Sequence, residues 1–204
     1  MTRDEGLNLL KENIQNQSFD KLRIDPERKL KGQNLIKHSL MVEAIMRVLA
    51  RRFNENEEKW GLAGLLHDID YEETKNDSNQ HSLIGAQMLE KLGVDKNICQ
   101  AVKVHNEIHG ILPETLMEKA LFVADPLTGL IVASVLVLPA SPSGGPSKNI
   151  ADLKPESVEK RFKEKSFAKG ANREIIKKCE EYLNLKLEEF IKIGLEAMQK
   201  SCYN

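Results

Sequence analysis

The strongest constraint on this chain is the spacing of its apolar residues, which recur every three to four positions along most of its length. Leu35, Leu40, Val42, Ile45, Met46, Leu49 and Phe53 are one such series. That period is one face of an α-helix, whereas a half-buried strand would alternate. It predicts a first helix from a Thr2/Glu5 capping box to about Asn16, a long helix from Leu35 to about residues 54–56, and an apolar helix over 60–69. Helices over 80–92 and 95–106 follow, then an apolar helix through Asp125 and shorter ones over 156–165, 172–183 and 187–202. Residues 127–138 are rich in valine and isoleucine, but a lone strand would have no partner, so they read as a buried core helix set off by Pro126. The expected fold is all-α.

Within 204 residues this suggests four parts: an N-terminal helix and polar connection (1–34), a helical core (35–138), a Pro/Ser/Gly loop (139–155) and a C-terminal helical extension (156–204) packed on the core. Thirty basic against 31 acidic residues give a net charge of −1, which argues against a nucleic-acid partner for the chain as a whole. Cys99, Cys179 and Cys202 make neither an even disulfide framework nor a Cys-x-x-Cys pair. A reducing cytoplasm is therefore expected. The first residues, Met-Thr-Arg-Asp-Glu, lack the apolar core of a signal peptide. The apolar stretch 121–140 contains Asp125, Pro126 and Pro139, and an aspartate near a helix centre costs about 2.5–3.5 kcal/mol on insertion, so no membrane partner is expected.

All five histidines fall between His38 and His109. His67 and Asp68 end an otherwise apolar helix, where a titratable group needs a partner, and Asp125 sits among Phe122, Val123, Ala124 and Leu127 with the same need. Neighbouring helical positions point about 100° apart, yet an imidazole and a shorter carboxylate can converge on a cation above the helix end. His38 and Asp125 would complete a mixed nitrogen and oxygen set suited to manganese, ferrous iron, nickel, cobalt, magnesium or zinc. Each residue also has a plainer reading: a helix-end cap for His67-Asp68, a cap of the helix at Pro126 for Asp125, a surface position for His81, a turn residue for His109.

The order His38, then His67-Asp68 after 29 residues, then Asp125 after 57 more, with Gly64-Leu65-Leu66-His67-Asp68-Ile69-Asp70 and Val123-Ala124-Asp125 around it, resembles the HD superfamily of metal-dependent phosphohydrolases. The likeness covers about residues 35–130. It implies an HD-type helical bundle in which His38, His67, Asp68 and Asp125 hold one divalent metal, and His81 and His105 hold a second metal or a substrate phosphate. The segment 163–173 is similar to an uncharacterised branch of predicted HD hydrolases. Where cyclic-dinucleotide phosphodiesterases of the superfamily have Gly-Lys, this chain has Asp70-Tyr71, and their Gly-Tyr-Pro signature is missing, which argues against that activity.

The implied activity is hydrolysis of a nucleotide or other small phosphorylated metabolite by metal-activated water, with a non-catalytic metal and nucleotide sensor as the alternative and an oligomer open. Residues 160–178 hold eight basic and two acidic side chains, a local balance of +6. Such a strip is usually a solvated face; here Lys163, Lys165 and Arg173 are candidates for substrate phosphate. Glu72 is a candidate general acid or base, against the simpler reading of an exposed loop acid.

Overall fold

The computed structural model of the protein describes residues 1–16, 26–139 and 149–201. The polar break within 17–25, the Pro-Ser-Gly run of 140–148 and Cys202 lie outside the described residues. The described chain is helical: α1 (Arg3–Asn16), α2 (Pro26–Arg52), α3 (Glu57–Leu66), α4 (Tyr71–Thr74), α5 (Leu83–Lys91), α6 (Lys96–Val104), α7 (Leu116–Leu136), α8 (Pro155–Lys163), α9 (Arg173–Lys177), α10 (Cys179–Leu183) and α11 (Leu187–Ser201), with 3-10 turns at Glu107–His109 and Ile150–Asp152. Among the described residues there is no strand, so the all-α expectation holds.

Two boundaries differ from the expected ones. Helix α2 begins at Pro26 rather than Leu35; residues 26–34 carry no apolar stripe, so periodicity cannot see them, while proline at the first helical position is pre-set for the turn. Helix α7 runs unbroken through Pro126. An interior proline costs about 3 kcal/mol, and the complete burial of Leu121, Val123, Ala124, Leu127, Leu130 and Ile131 along the same helix offsets it. By length and composition alone α7 could cross a bilayer, but more than half of that stretch is buried inside the protein, as in the core helix of a globular fold.

The chain divides into two compact units, Met1–Phe122 and Val123–Asn204, so the boundary falls inside α7, short of the expected end at 138. In the first unit α2 lies on α3, with Leu10, Val42, Ile45, Met46, Leu49, Leu65 and Leu66 buried. The approach is close because of Gly64: a Cβ there would stand 2.9 Å from the backbone of Glu43. Buried Glu43 accepts from Arg3 Nε at 2.7 Å and Arg47 Nε at 2.8 Å, and Arg47 forks onto Glu58 at 2.7 and 3.0 Å, tying α1, α2 and α3. These contacts fix where α3 ends relative to α2, and so where His67 meets His38. In the second unit α11 packs on α8 and on the 150–152 turn, where Gln199 Nε2 donates to the carbonyls of Ile150 and Leu153.

Candidate metal centre

The last carbonyls of a helix have no partner within it. At the end of α3, His67 turns back and its Nδ1 donates to the carbonyl of Gly64 at 2.8 Å; at the end of α6, His105 does the same to Val102 at 2.6 Å. A carbonyl only accepts, so the proton is on Nδ1 and the lone pair of the neutral ring is on Nε2. Both rings are buried, and both Nε2 atoms face Asp68: His67 Nε2 stands 3.3 Å from Oδ2 and His105 Nε2 3.5 Å from Oδ1.

Two further histidines complete a ring around that carboxylate. His38, from α2, places Nε2 3.8 Å from Asp68 Oδ2, and His81 places Nε2 3.2 Å from Oδ1. The ring centroids are 5.2 Å apart for His38 and His67, 5.0 Å for His67 and His105, and 5.1 Å for His81 and His105. His81 does not start a helix as the period suggested; α5 begins at Leu83, and His81 lies in the preceding turn next to Ser82, whose φ is +71°. Its Nδ1 donates to Asp70 Oδ1 at 3.0 Å, and its carbonyl accepts from His109 Nε2 at 2.7 Å and Asn106 Nδ2 at 3.3 Å.

Burial by itself would raise the Asp68 carboxyl, but the imidazoles around it, His67 foremost and then His105 and His81, overcome it and hold the group well below the usual carboxylate range. For His81 burial pulls down, and the carboxylates of Asp68 and Asp70 push up more strongly, to about 9. The fit to a cation rests on the donor set. Ligand atoms about 2.0–2.2 Å from a tetrahedral ion are roughly 3.3–3.6 Å from one another, and the Nε2 to carboxylate distances here are 3.2–3.8 Å. His38, His67 and Asp68 form one compact set; Asp68, His81 and His105 form another. Asp68 belongs to both, and either set could hold a divalent metal.

Asp125 is half-buried in the interior of α7 and so caps no helix. Glu72 has its side chain largely buried and accepts from Lys75 Nζ at 2.8 Å. Lys163 and Lys165 are exposed. Arg173 is occupied locally: its guanidinium donates to the carbonyls of Ala168 at 2.7 Å, Ala171 at 2.5 Å, Phe167 at 2.5 Å and Arg161 at 3.4 Å, closing the 164–172 loop. His109 is structural, as the turn beside Gly110 suggested. Asp70 and Asn106 are the residues that sequence reasoning passed over. The signal for Asp70 was its departure from the glycine of the cyclic-dinucleotide phosphodiesterases.

Residues 35–130 match the family model of the HD domain. This is an HD-superfamily protein. Among curated proteins the chain is similar to Ribonuclease Y of Oleidesulfovibrio alaskensis, 31% identical over 98 residues, 48% of this chain and 18% of that protein. Ribonuclease Y of Thermosipho melanesiensis is 30% identical over 152 residues, 71% of this chain and 27% of that protein. Ribonuclease Y of Nitratidesulfovibrio vulgaris is 34% identical over 98 residues, 48% and 18%. The chain thus spans under a third of the length of these relatives. No solved structure matches significantly. HD-domain proteins are generally hydrolases and bind divalent metals, and the imidazole ring around Asp68 lies within the matched HD residues.

Proposed function

We propose that this HD protein hydrolyses the phosphoester of a nucleotide or other small phosphorylated metabolite at Asp68. The observation that carries the reading is the division of one buried carboxylate between two pairs of Nε2 atoms, His38 and His67 on Oδ2, His81 and His105 on Oδ1. A divalent cation held there supplies Lewis acidity toward water and toward a phosphoryl oxygen. The chain's own part is orientation: carbonyls of Gly64 and Val102 hold the protons of His67 and His105 on Nδ1, and the ionised Asp68 offers one oxygen to each side. One cation would be held by His38, His67 and Asp68, with His81 and His105 turned to a second metal or to the substrate phosphate. Asp125 enters the proposal as the remaining ligand of the HD pattern, and exposed Lys163 and Lys165 as contacts for substrate phosphate. The buried thiols of Cys99 and Cys179 accord with a cytoplasmic setting.

The names of the relatives favour a second reading, in which the phosphodiester cleaved belongs to RNA. One assay separates the two: Mn2+-loaded protein is offered a panel of nucleotides and phosphorylated metabolites beside an end-labelled single-stranded RNA, with Asp68→Ala as control. Release of phosphate or nucleotide from the panel supports the first reading. RNA shortening lost in Asp68→Ala supports the second. Metal binding with no turnover of either would overturn both in favour of a sensor.

A further inference from the structure

Asp70 is fully buried, two residues beyond Asp68, and its carboxylate receives three donors. Oδ2 accepts from the backbone amides of Ser82 at 2.8 Å and Gly85 at 2.9 Å; Oδ1 accepts from His81 Nδ1 at 3.0 Å. The first two are the work of a helix N-cap, satisfying amides that α5 leaves open. Yet Asp70 is not at the N-cap position. Ser82 is, with its φ at +71°, and its own hydroxyl donates to the carbonyl of Lys103 at 3.0 Å. The start of α5 is therefore capped by a carboxylate from twelve residues upstream, and that carboxylate's other oxygen faces a histidine of the ring.

The surroundings are built to admit it. A Cβ on Gly85 would stand 3.1 Å from both Cγ and Oδ1 of Asp70, so a larger residue there would press on the carboxylate. Thr74 Oγ1 donates to the Asp70 carbonyl at 2.9 Å, and Asn106 and His109 hold the His81 carbonyl from the far side. An acceptor on Nδ1 keeps a proton there and leaves Nε2, 3.2 Å from Asp68, as the nitrogen that a cation would take. We propose that Asp70 is a positioning residue: it orients His81 as a cation ligand and ties that orientation to the folding of α5. This rests on the reading of the Asp68 cluster as a metal centre.

Asp70→Asn is the informative change. The amide oxygen can still accept from Ser82 and Gly85, but the amide nitrogen donates to His81 Nδ1 instead of accepting from it, which leaves only the distant Thr74 hydroxyl at 3.5 Å as an acceptor there and shifts the proton toward Nε2, where a cation would bind. Metal-stripped full-length protein is titrated with Mn2+ by calorimetry as wild type, Asp70→Asn, His81→Ala and the double variant, with thermal unfolding of each metal-free form. Asp70→Asn should weaken, by about 10- to 100-fold, the same binding step that His81→Ala weakens. The double variant should be no weaker than His81→Ala alone. Wild-type binding matched by Asp70→Asn, or losses that add in the double variant, would overturn the positioning role and leave the metal centre standing. No Mn2+ uptake by wild type would overturn both. If Asp70→Asn does not fold, wild-type protein loaded with Zn2+ decides: ring 15N shifts of His81 should show the proton on Nδ1 and the metal on Nε2, and metal on Nδ1 or an unperturbed ring would refute the role.

Discussion

His67 and His105 in the first unit and Arg173 in the second all donate to backbone carbonyls, but they differ in what they keep. Each histidine commits one ring nitrogen to a carbonyl three residues back and retains the other, and the two retained nitrogens face a single carboxylate. Arg173 commits both terminal nitrogens to carbonyls of its own loop. Burial removes the Arg173 guanidinium from water and lowers its pKa, and its Nε has no hydrogen-bond partner. Sequence reasoning gave all three a role in chemistry. The contrast shows that a polar side chain is available for chemistry when folding leaves it a directed donor or acceptor, however strongly charged its neighbourhood in sequence.

The contrast breaks most visibly at Asp68. Asp68→Ala should reduce metal content, measured by elemental analysis on protein of unchanged helicity, from wild-type level to background; retained metal would remove the functional half of the comparison. Gly64→Ala tests whether the cluster depends on the backbone contact between α2 and α3. Its Cβ would meet Glu43 at 2.9 Å, so a loss of about 1–3 kcal/mol in denaturant unfolding is expected, together with weaker Mn2+ binding. Arg173→Ala should cost on the order of 2 kcal/mol, the worth of hydrogen bonds from a charged donor, and leave metal content untouched. Intact stability with lost turnover would instead make Arg173 a substrate contact. The smallest effect concerns the thiols: burial raises Cys99 and pushes Cys179 up to about 12. Alkylation of native protein at pH 8 should spare both, and mass spectrometry showing either one modified would mean that their surroundings open readily.

How much of this could be read from the sequence depended on the range of the interaction. The helices were legible because Val42, Ile45, Met46 and Leu49 repeat within a few residues, and His67 and His105 at helix ends because their apolar helices stop there. Helix α2 before Leu35 was not, since it has no stripe, and the continuity of α7 across Pro126 was not, because the local penalty of a proline is visible and the burial that outweighs it is tertiary. Asp70 was seen only as a departure from a pattern. Its partners Ser82 and Gly85 are twelve and fifteen residues away, and no spacing rule joins them. Arg173 was misleading for a related reason, as a run of lysines and arginines records charge but not the inward turn of one member.

The helix-end histidines carry a consequence for transplantation. The acceptor that fixes each ring is in the same helical turn, so a segment as short as Gly64–Asp68 or Val102–His105 contains both the ring and the instruction for its proton. His81 has no such portability, because its instruction is eleven residues away and exists only once α5 has docked. A host helix grafted with the first two segments would receive rings already set in the right tautomer, while a graft of His81 without Asp70 would deliver an imidazole free to choose.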